Sequence, residues 1–214
     1  MPLIYLIFLT LFLIIILQLG IFGIVLAKLG LSPNSAILLL GSTLLGSLIN
    51  LRLFTMDSST KELQENYPTT QTLFNPLPII KGKIIVALNV GGALIPICFS
   101  LYLISLHSIS PLQYVPAITL VASISYSFSR PIKGLGIGIP ILVAPVSAAL
   151  SALFIAPEHS APLAYICGTL GVLIGADLFR LKDIKHLGAP VASIGGAGTF
   201  DGIFFTGIIA VLLA

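Results

Sequence analysis

Seven acidic residues occur in the chain. Asp57, Glu62, Glu65, Glu158 and Asp183 fall in polar stretches, whereas Asp177 and Asp201 fall inside long apolar runs. An ionisable side chain at bilayer depth costs at least about 2.5–3.5 kcal/mol on insertion scales and marks a functional position by default. Two carboxylates in one low-dielectric site cannot both ionise easily, so one keeps its proton while the other is charged. That supplies an acid and a base for activating water, and Asp177 and Asp201 are the candidate catalytic pair. The second aspartate ends a glycine-rich run, Gly195-Gly196-Ala197-Gly198-Thr199-Phe200-Asp201-Gly202. Gly195, Gly196, Gly198, Thr199 and Gly202 are candidate substrate-binding positions, because glycine lets backbone turn and approach closely. Asn89, in Asn89-Val90-Gly91-Gly92, is the remaining candidate.

The elements that would hold these residues are set by composition. The 214-residue chain is 57% hydrophobic and 8% charged. Soluble domains carry roughly 25% charged residues, so this chain cannot build a water-facing surface of the usual kind. The expected class is all-α: a polytopic membrane bundle of about seven helices, forming one domain over 1–214. The apolar runs 3–27, 35–53, 84–106, 112–128, 134–156, 161–178 and 188–213 have the length a helix needs to cross a bilayer. The stretch 55–82 is the one sizeable polar loop; its Tyr67-Pro68, Asn75-Pro76 and Leu77-Pro78 steps break regular structure.

Charge orients the bundle. Seven spans place Arg52, Lys61, Lys81, Lys83, Arg130, Lys133, Arg180, Lys182 and Lys185 on the side of the N-terminus, and only Lys28 opposite. This asymmetry predicts a cytoplasmic N-terminus, an external C-terminus and residence in the cell membrane. The net charge of +3 is accounted for by these loops, so no nucleic-acid partner is expected. Cys98 and Cys167 both lie in apolar runs and read as packing residues. His107, His159 and His186 fall in different loops on both sides, so no shared metal site and no cofactor are expected.

Depth limits the aspartate pair. Asp177 precedes Arg180 by three residues, about 5 Å inside the boundary at the helical rise, whereas Asp201 lies about 16 Å in if its helix is regular from Pro190. A gap of about 10 Å is too wide for a dyad in straight helices. A break at Gly195–Gly198 would close it. Asp177 could alternatively pair with Arg180 at i,i+3. Three runs carry the glycine and proline that interrupt helices: Asn89 to Pro96, Gly134 to Pro145, and Gly195 to Gly202.

The run Gly175-Ala-Asp177-Leu-Phe-Arg-Leu-Lys, followed by Gly188-Ala-Pro-Val-Ala-Ser-Ile-Gly-Gly-Ala-Gly-Thr-Phe-Asp201-Gly, resembles a family of prokaryotic multi-pass membrane proteins of unknown function. Two aspartates on adjacent spans, the second after glycines, are also loosely similar to presenilin-type and prepilin-peptidase-type intramembrane aspartyl proteases. Those carry Gly-x-Gly-Asp; here Thr199 and Phe200 separate Gly198 from Asp201, and Ala176 precedes Asp177. Three readings stay open. The first is an intramembrane aspartyl hydrolase acting on a membrane-embedded peptide. The second is a transporter for an ion or small solute, with Asp201 and Asn89 at a broken-helix midplane site. The third is a structural or partner-binding membrane protein.

Overall fold

The computed structural model describes residues 20, 21, 23–59, 82–132, 136–186, 188–196 and 202–214. Most of the expected first span and of the polar loop lie outside these residues, as do Gly198, Thr199 and Asp201. The described chain is mostly helical. Helix α1 covers 23–28 and α2 Pro33–Gly46; α3 covers Ile95–Leu106, α4 Pro111–Phe128, α5 Val143–Ile155, α6 Ser160–Val172 and α7 Gly202–Leu213. Their starts are written locally. Ser32 accepts from the Ser35 N–H ahead of Pro33, and Ser110 with Gln113 forms a capping box ahead of Pro111.

An all-α reading is corrected by five strands. Strands β1 (Asn50–Asp57), β2 (Lys83–Asn89) and β5 (Val191–Ile194) form a sheet in the order β1-β2-β5, while β3 (Arg130–Ile132) and β4 (Gly136–Gly138) form a separate hairpin. Strand β1 is antiparallel to β2, pairing Asn50 with Asn89, and β5 is parallel to β2, pairing Leu88 with Ile194. Three expected spans are therefore composite. The run 35–53 ends as strand, and the runs 84–106 and 188–213 begin as strand. An apolar run such as Ile84-Ile-Val-Ala-Leu suits a buried strand as well as a helix, because no periodicity separates the two. The run 134–156 is likewise split: β4 ends at Gly138 and α5 starts at Val143. Among the expected spans that are described in full, 112–128 and 161–178 are helical throughout, within α4 and within α6 and its continuation.

Helix α6 is the hub. It continues as a π-helical turn over Leu173–Leu178, in which the Phe179 N–H reaches the Ile174 carbonyl. Its glycines let neighbours in. Gly171 and Gly175 abut Val121 and Ala122 of α4, and Gly168 abuts Ala148 of α5 and Thr206 and Ala210 of α7. Around it lies a core of Leu103, Ala117, Val121, Ala152, Leu163, Tyr165, Ile166 and Phe204. A second core, next to the sheet, joins Val86, Ala93, Val172, Leu173, Ala176, Ile194 and Ile203. Counted with its preceding turn, the helix Pro157–Leu178 spans 22 residues and is long and apolar enough to cross a membrane. Pro33–Gly46, Val90–Leu106, Val143–Ile155 and Ile203–Leu213 are apolar but shorter.

Candidate functional site

The strands of the sheet lead into helices at one level of the molecule, and a polar cluster ties the junctions together. Asn89, fully buried, ends β2 and caps the π-helical turn Val90–Leu94 that opens α3; its Oδ1 accepts from the Gly92 N–H at 2.7 Å. Its Nδ2 donates to the Ser47 carbonyl at 2.7 Å and to Asn50 Oδ1 at 3.1 Å. Ser193 on β5 donates to the same Asn50 oxygen at 2.6 Å. The end of α2, all three strands and the start of α3 are thereby joined through side chains far apart in sequence. Asn50, Ser47 and Ser193 stand in no recognisable motif. The available signal is that Asn50 and Asn89 are the asparagines of the apolar runs, and antiparallel pairing puts them opposite each other.

Glycine is required where these junctions touch. A Cβ on Gly92 would lie 1.8 Å from the Gly195 carbonyl oxygen, and one on Gly91 would lie 1.9 Å from the Thr43 carbonyl oxygen. Gly195 and Gly196 follow β5 with φ of 80° and 86°, a left-handed pair that other residues rarely adopt. The left-handed Gly195–Gly196 pair thus follows a strand inside the expected seventh span: Val191–Ile194 stands in place of its first turns, and the described part of its helix is Gly202–Leu213.

Asp177 lies half-buried in the π-helical turn of α6. Such turns widen the helix by one residue and often occur at functional sites. The turn shifts Asp177 away from the face that a regular helix would assign it. Arg180, the expected i,i+3 partner, instead forms its ion pair with Asp183, at 3.0 Å. The guanidinium also donates to Ser129 Oγ and to the carbonyls of Tyr126 and Ser129, and lies 4.3 Å from the centroid of the Tyr126 ring. Arg180 thereby fastens the end of α6 to the end of α4.

The depth of the two aspartate-bearing segments is set by helix contacts. Gly168 faces Thr206 and Ala210, Gly207 faces Thr169 and Tyr165, and Ser160 Oγ at the start of α6 donates to the Ala214 carbonyl at the end of α7 at 3.3 Å, so α6 and α7 are antiparallel neighbours. Counting from those contacts at about 1.5 Å per residue, Gly202 is roughly 6 Å along the axis from Asp177. The separation of about 10 Å requires a regular helix from Pro190, which the strand replaces. Ala176 and Ile203 belong to one buried cluster with Ile194. Among the described residues no group of three or more His, Cys, Asp or Glu side chains is placed to hold a metal ion.

Residues 44–213 match a protein-family model described as Protein of unknown function (DUF1614), and the chain belongs to that family. No curated protein and no solved structure matches it. Nothing in these comparisons shows similarity to presenilin-type or prepilin-peptidase-type proteases.

Proposed function

We propose that this DUF1614 member is a multi-pass protein of the cell membrane that hydrolyses membrane-embedded peptide, with Asp177 and Asp201 as the water-activating pair. The observation that carries the reading is the register of α6 against α7. It sets the start of α7, the residue after Asp201, roughly 6 Å along the axis from Asp177, closer than the gap of about 10 Å that a helix regular from Pro190 would give. One carboxyl would hold a proton for the leaving amine while the other, ionised, takes one from water. The left-handed Gly195–Gly196 pair, with Gly195 packed against Gly92 and Ala93, precedes Asp201 in the sequence. Strand β5 is an edge of its sheet among the described residues, and a substrate segment has main-chain groups to pair with there.

The bilayer as partner is supported by the outer surface. Leu112, Ile141, Phe154 and Leu38 are each more than 70% exposed, and together with other exposed apolar residues they exceed what a soluble monomer displays. On the exposed face of α4, Thr119, Ser123 and Ser127 donate to carbonyls four residues back, so their hydroxyls bring no unmet donor into lipid. The seven-span topology, with cytoplasmic N-terminus and external C-terminus, is part of the proposal. The transport alternative calls on Asn89 as a ligand together with Asp201. Both Nδ2 donors of Asn89 are used within the chain and its Oδ1 accepts from Gly92, which favours hydrolysis.

The test uses the full chain in detergent with a panel of single-span membrane peptides, the products read by mass spectrometry. Wild type is expected to generate new peptide ends, and Asp177→Asn and Asp201→Asn are each expected to abolish them. No cleavage by wild type, or equal cleavage by either variant, overturns the proposal.

A further inference from the structure

The end of the bundle away from the sheet brings together two of the three histidines that the sequence scatters over separate loops. His107 ends α3, and His159 is the residue before α6. Their ring centroids are 6.2 Å apart and the ring planes 65° from parallel. His107 Nε2 is buried and forms no hydrogen bond. The edge of that ring carrying Cε1 and Nε2 lies against Gly30, in the turn between α1 and α2, where a Cβ would sit 3.8 Å and 3.9 Å from those atoms. Ser108, next to His107, is the only non-glycine residue with positive φ among those described, at 49°. His159 makes no side-chain bond to the first turn of α6. Lys28, the basic residue of the neighbouring turn, donates to the Val211 carbonyl at 3.3 Å.

A buried ring nitrogen without a partner carries a desolvation cost that a bound group removes. Neutral imidazole is a strong ligand for zinc, copper and nickel and a weak one for magnesium. Two imidazoles on one ion with metal–nitrogen bonds of about 2.1 Å have centroids roughly 5–6 Å apart, close to the spacing here. The left-handed backbone at Ser108 fits a position held for a purpose, since such conformations cost energy and gather at ligand sites.

We propose that His107 and His159 form a two-imidazole site for a divalent transition-metal ion, water filling the remaining positions. The site would join the connection after α3 to the one before α6, at the end opposite Asp177, and it does not depend on the hydrolase reading.

Zinc is the probe. The full chain in detergent, stripped with chelator, is titrated with zinc while its thermal midpoint and calorimetric heat are followed. Wild type is expected to bind one zinc per chain with a raised midpoint at pH 7.5. His107→Ala and His159→Ala should each raise the half-saturating zinc concentration at least tenfold, and His107→Gln serves if the alanine variant does not fold. His186→Ala, at the other end, should bind as wild type does, and magnesium should have no effect. No zinc response in wild type, or a response unchanged in the His107 and His159 variants, overturns the proposal.

Discussion

Replacing Asn89 by leucine would strip the Ser47 carbonyl and the Gly92 N–H of their partners while leaving both groups buried. Unsatisfied buried groups cost about 1–3 kcal/mol each, so Asn89→Leu is expected to lower stability by about 3 kcal/mol in chemical unfolding. Asn89→Asp keeps the shape but sets a carboxylate against the Ser47 and Asn50 oxygens, and its loss should be at least as large. Ser193→Ala removes one donor to an oxygen that keeps Asn89, and about 1 kcal/mol is expected. The glycines separate in the same way. Gly41 has open space around its missing Cβ and lies in α2, so Gly41→Ala should stabilise by up to about 1 kcal/mol through helix propensity. Gly92→Ala drives a methyl into the Gly195 backbone and should instead lower the unfolding midpoint sharply. At this scale the sequence points to Asn89 and the Gly195 run as candidate binding positions, and what it does not reveal is the cap and cross-tie that Asn89 forms in the structure. The hidden part lies in Asn50 and Ser193, which reach Asn89 only through strand pairing.

The helices legible in the sequence are those whose apolar run is closed by its own local signals. The Ser110–Gln113 capping box opens α4, and α6 continues unbroken to Leu178. The strands are hidden because a membrane-like composition removes the polar alternation that normally separates strand from helix. Short β-branched runs bounded by breakers are the remaining signal: Ile84-Ile-Val between Gly82 and Asn89, and Val191 to Ile194 between Pro190 and Gly195. The π-helical turn at Leu173–Leu178 has no local sequence signature; it arises where α6 packs, with Gly175 against the Ala122 backbone. Beyond that turn, the segment leading away from α6 is anchored by the Arg180 side chain. Arg180→Lys keeps the charge but loses the planar fork that reaches Ser129, Tyr126 and Asp183 together. Limited proteolysis between 179 and 187 is expected to become several-fold faster in that variant, and equal rates would show that other contacts hold the segment.

For the molecule as a whole, the charge asymmetry makes a prediction about sides. In a Cys98→Ala background, which removes the exposed native thiol and leaves the buried Cys167, Lys182→Cys should react with a membrane-impermeant maleimide only in inverted vesicles. Glu158→Cys should react only in intact cells. Labelling of both from one side would overturn the topology, and the opposite pattern at both sites would reverse it. The sheet also imposes an order on biosynthesis. Strand β2 leaves the ribosome early, yet its neighbour β5 lies more than a hundred residues later, beyond α3, α4, α5 and α6. Until that late segment arrives, β2 presents a bare parallel edge and Asn50 waits for the Ser193 hydroxyl. A chain halted before Pro190 would carry an open template for mispairing, and cellular quality control has a simple cue by which to tell unfinished copies from finished ones.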